Sequence, residues 1–192
     1  MSVIVDRIDY WRLKLRAMTM LLIGRQPAAE VAFDEMLRAW PADAYALASR
    51  AHLRAQLGRP VEAIADAQQL VRLHPGRSAG DWFNLAFLLE SVSRLEEAEE
   101  AFRHAVALDP KLDRAWYGLG LTLIRLHRLD DAVEALKRNT ELQPMSPYGW
   151  YQLARAHVDR HEPDEARRII RHLHGFEPKV AAQLERETGL AP

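Results

Sequence analysis

Large apolar residues recur three and four apart along this chain. Trp82, Leu85 and Leu89 form one such run, Trp116, Leu119 and Leu123 a second, and Trp150 and Leu153 begin a third. That spacing puts each set on one stripe of an α-helix. Each run contains a small residue beside the stripe (Ala86, Gly120, Ala154). A second helical stretch follows it, carrying Ala98, Phe102 and Ala105, then Ala132 and Leu136, then Ala166 and Ile170. Prolines punctuate the pattern at 41, 75, 110, 144 and 178, at successive intervals of 34, 35, 34 and 34 residues. Proline lacks an N–H and disfavours helix at the residue before it, so each one marks a stop and restart. A fixed period of this length predicts a solenoid of helix pairs, each burying its apolar face against its neighbours.

Two earlier units keep the period with a weaker pattern. Unit two offers Leu47, Ala51, Gly58, Ala63 and Pro75, but Arg50, Arg54 and Ala67 stand where large apolar residues are expected. Unit one offers Leu13, Ala17, Met20, Gly24, Ala29, Phe33 and Pro41, with Arg16 out of pattern. Gly24 and Gly58 fall at the turn between helices, and Pro27, Pro60 and Pro163 at the start of second helices, where proline is tolerated. The chain thus divides into five units, about 10–43, 44–78, 79–112, 113–146 and 147–180, with a final helix over 181–189, forming a single domain over 1–192.

The recurring Trp-x2-Leu-Gly/Ala, Ala-x3-Phe and Pro resemble the tetratricopeptide repeat (TPR) family. The resemblance covers nearly the whole chain and implies an all-α, right-handed superhelix, or α-solenoid, closed by a solubilising C-terminal helix. It implies a protein-interaction scaffold or adaptor, non-catalytic and without cofactor. The alternative is a regulatory or substrate-recruiting part of a larger enzyme complex.

Composition narrows the picture. The 192 residues include 26 Lys and Arg against 27 Asp and Glu, and no Cys. Near-neutral charge without a basic block argues against nucleic acid as the ligand. The missing thiols exclude disulfides, thiolate metal sites and thiol catalysis. No apolar run spans a bilayer. Arg12–Arg16 and the apolar Ala17–Ile23 look superficially like a signal peptide, but Asp6, Asp9 and Arg25 interrupt that pattern, and the segment fits a first helix; a cytoplasmic location is the expectation.

Apparent chemistry dissolves into repeat positions. His157 and His161 have the i, i+4 spacing of helical metal ligands, but His161, like His127 one unit earlier, falls at an inter-helix turn. Glu96, Glu97, Glu99, Glu100, Asp130 and Asp131 open second helices, where acids complement the helix dipole. Gly118 and Gly120 lie mid-helix and follow no strand, so they form no phosphate loop. Arg167, Arg168, Arg171, His172 and His174 read as a solvated basic face.

In the family resembled, first helices line a concave wall. The positions off the Trp–Leu stripe would face that groove: Trp11, Lys14, Met18 and Leu21 in unit one, Tyr45 and His52 in unit two, Phe83, Asn84 and Phe87 in unit three, Arg114, Tyr117 and Leu121 in unit four, Tyr148, Tyr151 and Arg155 in unit five. Aromatic side chains and arginines of this kind dominate binding hot spots. The expected partner is a peptide segment of another protein, with Arg114 and Arg155 engaging its acids. Some family members clamp a chaperone's C-terminal carboxylate with Lys and Asn. Lys14 matches the first clamp position, but Met18 and Ser49 replace the asparagines, and a window opening at unit two keeps only Asn84 and Arg114, so that ligand is disfavoured. Finally, the first helix is apolar around much of its circumference, from Trp11 to Ile23. Residues 1–9 or a second copy of the chain would cover it, the latter making a homodimer.

Overall fold

The computed structural model describes residues 2–191, and among these all regular structure is helical. The first helices of the five repeats are α1 (Ser2–Leu22), α3 (Ala44–Gln56), α5 (Ala79–Ser91), α7 (Asp113–Arg125) and α9 (Pro147–Asp159). The second helices are α2 (Gln26–Ala39), α4 (Pro60–Leu73), α6 (Leu95–Leu108), α8 (Leu129–Leu142) and α10 (Pro163–His174), and α11 (Pro178–Thr188) follows. They sort into two compact units, Met1–Val92 with α1–α5 and Ser93–Pro192 with α6–α11. The division falls inside the third repeat, at its inter-helix turn.

The inter-helix turn is the most regular feature. Gly24, Gly58, Ser93, His127 and His161 all hold a left-handed backbone, with φ between 57° and 73°. Around them the N–H of Arg25 reaches Met20 O at 2.8 Å, Arg59 reaches Arg54 O at 2.9 Å, Arg128 reaches Leu123 O at 2.9 Å and Glu162 reaches His157 O at 2.9 Å. This six-to-one closure caps a helix and reverses the chain. Glycine enters that conformation without steric cost, whereas His127 and His161 adopt it because the turn demands it.

Prolines open α4, α9, α10 and α11 and stand in the first turn of α2, where a missing N–H costs nothing. Just inside each second helix, Ala29, Ala63, Ala98, Ala132 and Ala166 are completely or almost completely buried. Small side chains there let the paired helices close on each other.

In the first unit, Leu13 and Ala17 of α1 pack with Phe33 and Met36 of α2 and with Ala46 and Leu53 of α3. Arg16, Arg50 and Arg54, anomalous in sequence, are explained by acids on second helices. Arg50 grips Asp66 with two hydrogen bonds, Nε at 2.9 Å and Nη2 at 2.6 Å, and reaches Asp34 at 2.6 Å. Arg54 donates to Glu30 and to Asp66, both at 2.9 Å. Arg59 ties Glu30 (2.7 Å) to Glu62, and Arg16 meets Glu35 at 2.9 Å. The Asp66 side chain is only 4% exposed, so the network belongs to the interior. Arg59 and Arg54 hold the Glu30 carboxyl below the usual carboxylate range against the opposing effect of burial. Burial opposes the charge of the Arg50 guanidinium, but the hydrogen bonds it donates to Asp66 and Asp34 outweigh that and hold it above its ordinary value.

The second unit closes with apolar contacts. A Cβ on Gly120 would stand 2.6 Å from Leu136, and one on Gly118 would overlap the Phe102 ring. Both glycines therefore serve close helix packing. Trp116 and Trp150 donate their indole N–H to the carbonyls of Pro110 (3.0 Å) and Pro144 (2.9 Å), linking each first helix to the proline that precedes it. In the first unit Trp82 makes the same bond to Pro75 at 2.8 Å, while Pro41 O accepts from Gln69 instead.

The α1 helix runs eight residues further toward the N-terminus than the repeat requires. Residues 2–9 contain no Pro or Gly to stop it. They extend the helix and do not fold back over it.

Candidate functional site

Each unit presents the outward positions of its first helices. In the first unit, the Lys14 ammonium lies 4.0 Å from the centre of the Tyr45 ring, with Trp11 at 5.1 Å and Tyr10 at 5.7 Å. These rings hold the cation in place, so Lys14 acts as part of an aromatic surface more than as an extended clamp lysine. Burial, reinforced by Asp43, raises the Tyr10 hydroxyl above its ordinary value. Beside them Leu21, Ala48, Ser49, His52 and Gln56 line an open depression of about 470 Å³ between α1 and α3. On α5, Phe87 is 59% exposed, Asn84 is exposed and Phe83 is half-buried.

In the second unit, Tyr148 is 72% exposed, Arg114 is exposed, and Tyr117 and Leu121 are half-buried. Tyr117 and Tyr151 rest their rings against the core formed by α8–α11. Tyr151 and Arg155 meet an acid of the chain itself. The Tyr151 hydroxyl donates to Glu187 of α11 at 2.5 Å, and Arg155 Nη1 lies 3.4 Å from both the same carboxylate and the Tyr151 oxygen. Tyr151 first, then Gln183 and Arg155, hold the Glu187 carboxyl below its ordinary value. Glu187 was not foreseeable from the period, because α11 lies outside the repeats.

The remaining chemical features are accounted for structurally. His157 is buried and bonded through Nδ1 to Glu162 at 2.7 Å, whereas His161 lies past the end of α9, exposed in the turn. Their i, i+4 spacing therefore does not bring them onto one helical face. Among the described residues no three His, Asp or Glu side chains gather as metal ligands. At the start of α6, Glu97 accepts two bonds from Arg94, each at 2.6 Å; at the start of α8, Asp131 pairs with Arg128, which also reaches Glu99 at 2.6 Å. In the basic stretch of α10, Arg167 pairs with Asp164 and Arg168 with Glu165, while His172 stacks on Trp150 at 4.4 Å. No helix among the described residues is long and apolar enough to cross a membrane.

Comparison with known proteins places these features in a family. Two tetratricopeptide repeat models match, one over residues 23–78 and another over 91–151. No curated protein matches in sequence. Among solved structures, a crystal structure of the MamA protein is 21% identical, covers 96% of this chain and 97% of its own, and superposes with a TM-score of 0.82. A tetratricopeptide repeat protein from Parabacteroides merdae is 20% identical over 94% of this chain and 74% of its own, with a TM-score of 0.80. YrrB, described as a TPR protein with an unusual peptide-binding site, is 16% identical over 88% of each chain, with a TM-score of 0.79. At these identities the likeness is one of fold. The repeat models, the solved folds and the recurring Trp–Pro and left-handed turn geometry converge: this chain belongs to the tetratricopeptide repeat family.

Proposed function

We propose that the chain is a non-catalytic scaffold that takes a peptide segment of another protein on the outward faces of its first helices. The tetratricopeptide fold is that of protein-interaction scaffolds, and YrrB, which shares it, is described as binding peptide. One observation carries the finer reading: Phe87 and Tyr148 hold large rings in solvent, 59% and 72% exposed, on helix faces where solubility alone would favour polar residues. Around them, Tyr45, His52, Phe83 and Asn84 in the first unit, and Arg114, Tyr117 and Leu121 in the second, supply further apolar, hydrogen-bonding and cationic groups. Tyr151 and Arg155 hold the Glu187 carboxylate of the chain itself, so an acid of the partner would engage this pair only by displacing Glu187.

Selection of short random peptides on the immobilised protein, followed by affinity measurement on variants, tests this. Phe87→Ala and Tyr148→Ala touch only exposed rings and should leave the circular dichroism spectrum unchanged. Selected peptides should lose at least about tenfold in affinity to one of these variants. Peptides that bind both variants as tightly as the parent, or a selection that yields no binder, would overturn the proposal.

A further inference from the structure

Among the described side chains of α1, five of the six exposed large apolar residues fall in one row, with Leu21 beside it. Ile8, Trp11, Leu15, Met18 and Leu22 follow one another at intervals of three, four, three and four residues, and they are 63%, 54%, 62%, 50% and 87% exposed. That is the a/d spacing of a helix-pairing seam, sustained over two full heptads. The opposite side of the helix, through Leu13 and Ala17, is the side buried in the first unit. Single exposed apolar residues elsewhere, such as Val61 and Met145, form no such row. Three of the positions flanking the seam are cationic: Arg7 and Arg12, both exposed, and Lys14; none is acidic. Asp9, which pairs with Arg12 at 3.3 Å, lies off the seam.

Those flanks decide what fits. In a parallel pair of two copies, Arg7 of one would face Arg12 of the other. In the antiparallel pair that sets Leu15 of one copy against Trp11 of the other, Lys14 would lie beside Lys14 and Arg12 beside Arg12. Like charges at flanking positions disfavour both of these self-pairings, and opposite charges on another helix are favoured at all three cations. We infer that α1 docks an amphipathic helix of another protein, with apolar residues at the same three–four spacing and Asp or Glu on its flanks. This goes beyond peptide capture by the first-helix faces, since Ile8, Leu15 and Leu22 take no part in that reading.

The test uses two synthetic helical peptides with identical Leu and Ile seams, one flanked by Glu and one by Lys, each kept monomeric by its own repulsion. Fluorescence anisotropy on the full chain should show the Glu-flanked peptide binding at least about tenfold tighter, with the preference shrinking in high salt. Arg7→Glu with Arg12→Glu should invert the preference. Leu15→Ser with Leu22→Ser should abolish binding of the Glu-flanked peptide, while Phe87→Ala leaves it unchanged; this separates the seam from the proposed peptide-binding faces. Equal binding of the two peptides, or binding of neither, overturns the inference. So does a dimer of the chain alone, seen by sedimentation and dissociated by Leu15→Ser with Leu22→Ser, because the seat is then taken by a second copy.

Discussion

The two units solve one packing problem with different chemistry. Between α3 and its neighbouring second helices, the first unit places two arginines against three acids, one of them, Asp66, almost wholly removed from solvent. In the second unit the corresponding region is apolar, with helices drawn together by Gly118 and Gly120 and braced by Phe102 and Leu136. A repeat fold fixes where helices lie and leaves open what fills the space between them. A buried ionic cluster is no more stabilising than good apolar packing, but it is far less tolerant of losing one partner. The first unit should therefore be sensitive to charge and pH, and the second to volume.

Asp66→Ala gives the largest expected effect. It strips the shared acid from Arg50 and Arg54 and should destabilise the first unit by about 3 kcal/mol. Hydrogen exchange should rise across α3 and α4 and change little in α8 and α9; an equal rise in both units would erase the contrast. Gly118→Ala is the mirror test, forcing Phe102 aside at a cost of about 1–3 kcal/mol, confined to the second unit.

Acid sharpens the comparison further. The Glu30 carboxyl titrates lower in the folded chain than in the unfolded one, so its stabilisation is complete above the unfolded value and fades as pH falls through the folded one. Thermal melts of the parent and Glu30→Gln should therefore differ most at neutral pH and converge below about pH 4. A constant gap would show that Glu30 is not held by charge. The smallest expected effect is a gain. The Thr122 hydroxyl is buried without a hydrogen-bond partner, so Thr122→Val should stabilise the second unit by about 1 kcal/mol. Unchanged or lowered stability would mean that the hydroxyl is satisfied.

Most of this architecture is legible in the chain because it is periodic. The boundary prolines, the buried alanines at 29, 63, 98, 132 and 166, and the turn positions at 24, 58, 127 and 161 all repeat, and repetition survives without knowledge of contacts. The ionic cluster is harder to read. Arg50 meets acids sixteen residues away on either side, Asp34 in the previous repeat and Asp66 in its own, a relation set by helix packing and not by any local motif. Glu187 was illegible for a related reason: α11 belongs to no repeat, so nothing in the period says which first-helix residues it will touch. The α1 seam lies between these cases, its three–four spacing visible in sequence and its exposure visible only once Leu13 and Ala17 are seen to face the core.

Photo-cross-linking of a selected peptide, carrying benzophenone at successive positions, tests most directly where this scaffold holds its partner. Adducts should concentrate around Phe87 on α5 or Tyr148 on α9, with the second helices spared. Adducts concentrated on α2, α4, α6, α8 or α10 would contradict the account.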